Sequence, residues 1–517
     1  MTDFGFWHFA QKDPSALGLV SPDGTEYSRG ALFSESNQLV HGLRARGLKT
    51  GDAVAVCMPN CKELLSLSLA TFQAGFYLVP INWHLSASEI AHLLQDSTAG
   101  VFVSDQRIAE TASTAVELAG FNADNAFSIG RIPGFQPFDT LTIGQPDTLP
   151  DDRTSGAVMN YTSGTTGKPK GVQRPLTGID PETGAQMATG LLQMLGSKPE
   201  DGNVNITGSP LYHTAVLVWA NASLHLGHPI VLMDKWDAED MLRLIEQYKV
   251  TTAHMVPTQF IRLLKLPEAV RHRYDCSSTR RMVHAAAPCP PDIKRAMIEW
   301  WGPCIYEYYA ASEGGGAMVS PQEWLQYPGT VGKAWPNADI KIFDDAGREL
   351  PPGEQGTVYM RLGDRGHFQY KGDERKTRES RIDNYFTVGD VGYLNNEGYL
   401  FLCDRKIDMI ISGGANIYPA EIENQLILHP KVADCAVFGI PNEDWGEEVK
   451  AAVQLSEGTS QSESTTAELM DFLGERLARM KLPRSIDYLS ELPRDPSGKL
   501  FKRRLRDPYW EEYESQV

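Results

Sequence analysis

The sequence predicts an α/β protein of at least two domains, the larger built on parallel sheets covered by helices. Three observations lead there. At 517 residues the chain is too long for one hydrophobic core. From Asp52 onward, short apolar runs of strand character alternate with helix-length amphipathic pieces, the pattern of parallel strands joined by crossover helices. A loop rich in glycine, serine and threonine then leaves a short strand at 156–160.

Taken in order, residues 53–57 read as a strand, 62–72 as a helix, 76–79 as a strand, 87–95 as a helix and 100–103 as a strand. Ser86 and Glu89 have the spacing of a capping box, which fixes a helix start. Asp237 suits the N-cap of a helix running to Tyr248, 251–256 reads as a strand, 291–301 as a helix, and 304–309 as a strand feeding a turn of small residues. In the last hundred or so residues, a helix is predicted over 419–429, strands over 433–439 and 448–454, and a helix over 466–480. Thr465 and Glu468 repeat the capping-box spacing there. No internal repeat occurs, and only 457–463 has the composition of a linker.

A hydrophobic content of 42% and a charged content of 22% belong to a soluble globular chain. The formal net charge of -18 argues against nucleic acid as a partner. The one dense basic cluster, Lys502, Arg503, Arg504 and Arg506, reads as a solvated helix end. The start of the chain has no basic segment followed by an apolar run, so no secretory signal is expected. The apolar stretch 215–233 is interrupted by Asn221, His225, His228 and Pro229 and is too polar for a transmembrane segment. Seven cysteines without a CxxC pair suit a reduced, cytoplasmic protein, with Cys57 and Cys61 as core residues rather than metal ligands. The oligomeric state stays open, a homodimer being one option.

Chemistry enters at Thr162-Ser163-Gly164-Thr165-Thr166-Gly167-Lys168-Pro169-Lys170-Gly171. Glycines let the backbone approach an anion, hydroxyls add donors, and two lysines bring positive charge, a combination that suits a polyphosphate. It is not a Walker A loop, because Gly164 and Gly167 are separated by two residues and Pro169 follows Lys168. From composition alone, an ordinary surface turn fits as well.

The whole string is similar, position for position, to the phosphate loop of the adenylate-forming superfamily, which includes acyl-CoA synthetases, firefly luciferase and peptide-synthetase adenylation domains. Further strings resemble that superfamily's motifs in the same order: Pro210-Leu-Tyr-His213-Thr, Ala285-Ala286-Ala287-Pro288, Tyr309-Ala310-Ala-Ser312-Glu313, Gly389-Asp390, Asp404-Arg405, Ser412-Gly413-Gly414-Ala-Asn, and Pro496-Ser-Gly-Lys499. Read alone, these are a lone histidine, strand edges, glycine turns and a solvated lysine.

The resemblance implies a large N-terminal ATP- and acyl-binding domain over 1–404 and a small, mobile α+β C-terminal domain over 405–517. It implies that the 162–170 loop, Ala286 and Ala287 contact ATP, that Tyr309 stacks on adenine, and that Ser312 meets the α-phosphate. Asp390 would chelate the ribose hydroxyls, Arg405 would bond the nucleotide, and Glu313 would hold Mg²⁺. His213, Trp219 and Ala310 would line the acyl pocket, Gly413 and Gly414 the coenzyme A tunnel, and Lys499 would be the catalytic lysine. Three departures are visible: Ala310 stands where glycine is usual, Ser312 replaces threonine, and Ile407 occupies the hinge position usually held by Asp or Lys.

The expected activity is an ATP-dependent acyl-CoA ligase that activates a hydrophobic small-molecule carboxylate as acyl-AMP and transfers it to coenzyme A. A carrier-protein ligase, a luciferase-like oxygenase and a non-catalytic nucleotide sensor are the alternatives. Retention of Lys499, Glu313, Asp390 and Arg405 argues against the sensor.

Overall fold

A computed structural model describes residues 3–162, 170–311, 315–363, 369–370, 374–494 and 500–516. The chain divides into two compact units, Met1–Met255 with Lys265–Val283 and His367–Glu379, and Val256–Leu264 with His284–Gly366 and Ser380–Val517.

The first unit carries the predicted parallel sheets. One has the strand order Gln136–Pro137, Ala126–Ile129, Ala99–Asp105, Ala53–Cys57, Tyr77–Pro80 and Ala157–Val158, all parallel. Its central strand Ala53–Cys57 is buried along its whole length, as expected of a strand covered on both faces. The helix Ala87–Ser97 starts at the expected capping box: the Ser86 hydroxyl accepts from the Glu89 N–H, and the Glu89 carboxylate accepts from the Ser86 N–H. In the other sheet Thr252–Met255, Asn205–Thr207, Ile230–Leu232 and Leu17–Val20 run parallel, with Glu26–Ser28 antiparallel at the edge. Asp237 caps Ala238–Tyr248 by accepting from Asp240 N–H at 2.9 Å. The core between these layers is aliphatic, with Phe6, Trp7, Phe76 and Phe127 as its largest members.

In the second unit the helix Pro291–Trp301 begins at a proline and gives way to Gly302, as its sequence predicts. Strand Ile305–Ala310 pairs antiparallel with Gly316–Val319. A sheet of antiparallel strands follows and ends at Leu400–Arg405. The next strand, Ile410–Ser412, belongs to a separate five-stranded sheet formed with Ala415–Ile417, Gly446–Leu455, Val432–Asn442 and Ser485–Tyr488. Helices Pro419–Leu426 and Glu463–Gly474 pack their apolar residues on this sheet.

Two expectations need correction. The helix predicted from 466 begins a turn earlier: Ser462, not Thr465, is the N-cap and accepts from Thr465 N–H at 3.0 Å. It stops at Gly474 rather than continuing to 480, because glycine is costly inside a helix and common at its end. The basic cluster at 502–506 opens the helix Lys502–Gln516, and Lys502 does not simply face solvent: it pairs with the largely covered Glu423 at 2.9 Å. Among the described residues no helix is long and apolar enough to cross a membrane, and no disulfide joins the described cysteines.

Candidate active site

In the first unit the flanks of the expected phosphate loop form an antiparallel hairpin, Asn160–Thr162 against Lys170–Gln173, with Thr162 opposite Lys170. Residues 163–169, which include Ser163, Gly164, Thr165, Thr166 and Gly167, lie outside the described residues. The hairpin is braced from below. Tyr161 donates its hydroxyl to Asp96 at 2.5 Å, and a Cβ at Gly171 would sit 3.2 Å from the Tyr161 ring, so a side chain there would press on the ring.

His213 stands at the N-cap of the helix Thr214–His225 but does not cap it with its side chain. Its ring lies 4.6 Å from that of Tyr212. Along the same helix Trp219 is buried with its indole 6.0 Å from the His254 ring. The predicted aromatic and histidine pair is therefore presented from a strand-to-helix turn, at the carboxyl end of the strand Asn205–Thr207, where open parallel sheets place their ligands.

The second unit brings three predicted nucleotide residues together. Tyr309 donates its hydroxyl to Asp390 Oδ2 at 2.5 Å. Arg405 sits across the strand pair from Asp390, with its Nε 3.6 Å from Asp390 Oδ1. A carboxylate with one oxygen on a phenol and the other beside a guanidinium is held in one orientation, suited to accepting the two hydroxyls of a ribose. Ala310 ends its strand exposed and opposite Gly316. Ala286 is exposed and has φ +71°, a left-handed conformation unusual for alanine, so the chain turns sharply just after the strand Arg281–His284.

Beneath these residues lies a charge cluster that the sequence did not suggest. Lys294 Nζ is 2.6 Å and His284 Nε2 3.4 Å from Glu307 Oε2, and all three are buried. Burial opposes a charge on Glu307, but the Lys294 ammonium holds its carboxyl well below the usual range, and burial lowers His284. Glu307 shares its strand with Tyr309, two residues away and on the same face, and His284 is two residues from Ala286. Only the pairing of a helix residue with a strand residue reveals the cluster.

Gly413 and Gly414 form the two-residue turn of a hairpin, with φ +57° and +80°. A Cβ at Gly413 would lie 2.5 Å from the Trp445 indole, which is half exposed, so a side chain at this position would displace the ring. Trp445 was not singled out by its sequence context, where it reads as a surface aromatic. Ser312, Glu313 and Lys499 lie outside the described residues, and among the described residues no group of His, Cys, Asp and Glu is arranged for a metal ion.

A family model described as AMP-binding enzyme matches residues 6–364, and one described as AMP-binding enzyme C-terminal domain matches 421–499. The chain belongs to the AMP-binding enzyme family. Its place there is the adenylate-forming, acyl-CoA synthetase type, and the likeness reaches back into the first 150 residues, where the sequence shared only a general pattern. The chain is 32% identical over 515 residues to the fatty acid–[acyl-carrier-protein] ligase ScoC of Streptomyces coeruleorubidus, covering 97% of this chain and 95% of that one. It is 31% identical over 500 residues to the feruloyl-CoA synthase of an Amycolatopsis species, with 96% of each covered. The ATP-bound MatB of Rhodopseudomonas palustris superposes with a TM-score of 0.82 at 28% identity, over 98% of this chain and 100% of that one. This AMP-binding enzyme is thus an ATP-dependent acid–thiol ligase.

Proposed function

We propose that the enzyme activates a hydrophobic carboxylate with ATP and passes the acyl group to the thiol of coenzyme A. The observation that carries the nucleotide half is the Tyr309, Asp390 and Arg405 cluster, which offers an oriented carboxylate for the ribose, a ring for adenine and a cation at its edge.

In the first half-reaction an oxygen of the substrate carboxylate bonds to the α-phosphorus and the bond to pyrophosphate breaks. Two anions must meet, so positioned positive charge and hydrogen-bond donors lower the barrier. The loop at 162–171 holds the departing phosphates, Lys499 bridges the carboxylate and the α-phosphate, and Glu313 would hold the Mg²⁺ that neutralises phosphate charge. His213 places the carboxylate, with the apolar side of Thr214–His225 facing the acyl chain. In the second half-reaction a thiol sulfur bonds to the acyl carbon and AMP leaves. Rotation of the part after Arg405 removes Lys499 and brings the Gly413–Gly414 turn to the thiol, with Trp445 as its neighbour.

A second reading, transfer to a carrier-protein thiol, is favoured by the likeness to ScoC. Pyrophosphate release is to be measured over decanoate, hexadecanoate, ferulate and indoleacetate, with and without coenzyme A and with an acyl carrier protein. Acid-dependent release with consumption of coenzyme A supports the first reading, and thioester formation only on the carrier replaces it with the second. Absence of release with every acid overturns both. Release with oxygen uptake and no thioester points to oxygenase chemistry.

A further inference from the structure

Asn60 follows the strand Ala53–Cys57 in the first unit and is buried. Both ends of its carboxamide are bonded. Oδ1 accepts from the Leu211 N–H at 2.8 Å, while Nδ2 donates to the Ser209 carbonyl at 3.0 Å and the Met233 carbonyl at 3.1 Å. The orientation of the amide is fixed by these partners, since a flip would set an NH₂ against an N–H and an oxygen against two carbonyls.

The three backbone groups belong to one functional segment and its neighbour. Ser209 and Leu211 flank Pro210 in the turn between the strand Asn205–Thr207 and the helix Thr214–His225. Met233 follows the parallel strand Ile230–Leu232, and its N–H bonds the Thr207 carbonyl at 3.0 Å. Asn60 therefore joins the carboxyl end of one parallel sheet to the carboxyl ends of two strands of the other. The turn it grips is closed by His213 N–H bonding the Pro210 carbonyl at 3.1 Å, so Tyr212 and His213 have little freedom once Asn60 is bound. Gly208 adds a second constraint, since a Cβ there would sit 2.6 Å from the Trp236 ring. Nothing about these bonds serves the strand ladders themselves. Two of them hold the turn, and the third ties it to the end of the neighbouring strand Ile230–Leu232.

We propose that Asn60 is a positioning residue for the carboxylate substrate, acting through the turn that presents His213. This rests on the substrate role given to His213 above. A buried amide that merely stabilised the fold would affect every step alike. One that sets the angle of His213 would affect the carboxylate selectively, because a small misplacement in a reacting pair is costly while a nucleotide held by other residues is not disturbed.

The test uses the full-length enzyme and the best acid among decanoate, hexadecanoate, ferulate and indoleacetate. KM for that acid and for ATP is measured by pyrophosphate release for Asn60→Ala, His213→Ala and the double variant. Asn60→Ser, which retains one hydroxyl for the turn, replaces Asn60→Ala if the latter does not fold. The expected result is a rise of about tenfold or more in KM for the acid with Asn60→Ala, while KM for ATP stays within about twofold, and a double variant no worse than His213→Ala. Equal rises in both KM values, no rise for the acid, or multiplying losses in the double variant overturn the role of Asn60 and leave that of His213 standing. An unchanged KM for the acid in His213→Ala overturns the reading of His213, and the proposal for Asn60 with it.

Discussion

The Tyr309 hydroxyl and the Asp390 carboxylate share a hydrogen bond of 2.5 Å, so the ring expected to face adenine and the acid expected to hold the ribose are one mechanical unit. Removing the hydroxyl leaves the ring in place and frees one carboxylate oxygen. Tyr309→Phe is expected to raise KM for ATP by about three- to tenfold, in line with about 1 kcal/mol for one hydrogen bond, with kcat little changed. Asp390→Ala, which loses both the ribose acceptor and the partner of Arg405, should weaken ATP binding more than Tyr309→Phe does. Calorimetric titration with ATP ranks the two variants, and the reverse order would remove Asp390 from the centre of the site.

Lys499→Ala is expected to slow pyrophosphate release by about 10² or more, the scale for losing one transition-state donor. Thioester formation from synthetic acyl-AMP should be largely retained, because the proposed mechanism uses the lysine only in the first half-reaction. Equal losses in the two assays would show that it acts in both.

The left-handed φ of +71° at Ala286 leads to a stability prediction. An L residue pays roughly 1–2 kcal/mol in this region, while glycine pays about 0.5–1 kcal/mol through the unfolded chain. Ala286→Gly should therefore leave the denaturation midpoint unchanged or slightly raised. Ala286→Val, with a branched side chain, should lower it, and equal midpoints for the two variants would mean the strain is released elsewhere.

His225 governs an acid limb of stability. It is buried against Trp7 and Phe72, accepts from the Phe6 N–H at 3.4 Å, and burial lowers its pKa from 6.5 to about 3. The unfolded chain takes up a proton that the folded one refuses, so this contribution is complete above pH 6.5 and is lost as pH falls toward about 3. The slope is about 1.4 kcal/mol per pH unit at its steepest. His225→Leu should flatten that limb in urea titrations at pH 6.5 and pH 5, whatever its effect on absolute stability.

Local signals explain what the sequence could tell. Pro291 and Gly302 bracket a helix, and Ser86 with Glu89 start another, because the signal and its partner lie within a few residues. Thr465 misled because Ser462, three residues earlier, is also a good cap and wins an extra turn by accepting from Thr465 itself. Non-local pairings stayed hidden. Lys502 reads as solvated until the fold sets Glu423 beside it, and Glu307 reads only as one residue of the 304–309 strand until Lys294 and His284 close on it. Asn60 in a Pro-Asn-Cys stretch reads as an ordinary turn residue, and only the fold brings Ser209, Leu211 and Met233 to its amide. The motifs name the candidate residues, while the hydrogen bonds that orient Asp390 and the turn before His213 join residues far apart in the chain.

The hairpin that flanks the phosphate loop has a consequence for what the loop can hold. In loops that open into a helix, the helix macrodipole adds a fixed partial positive charge to the bound phosphates. Here the described flanks, Thr162 and Lys170, pair with each other in antiparallel strands, so the chain leaves 170 as a strand and not as a helix. Strands carry only a small net dipole, so Lys170–Gln173 adds no fixed charge of that kind to the phosphates that the loop is proposed to hold. That suits a group that has to depart once the acyl-adenylate has formed.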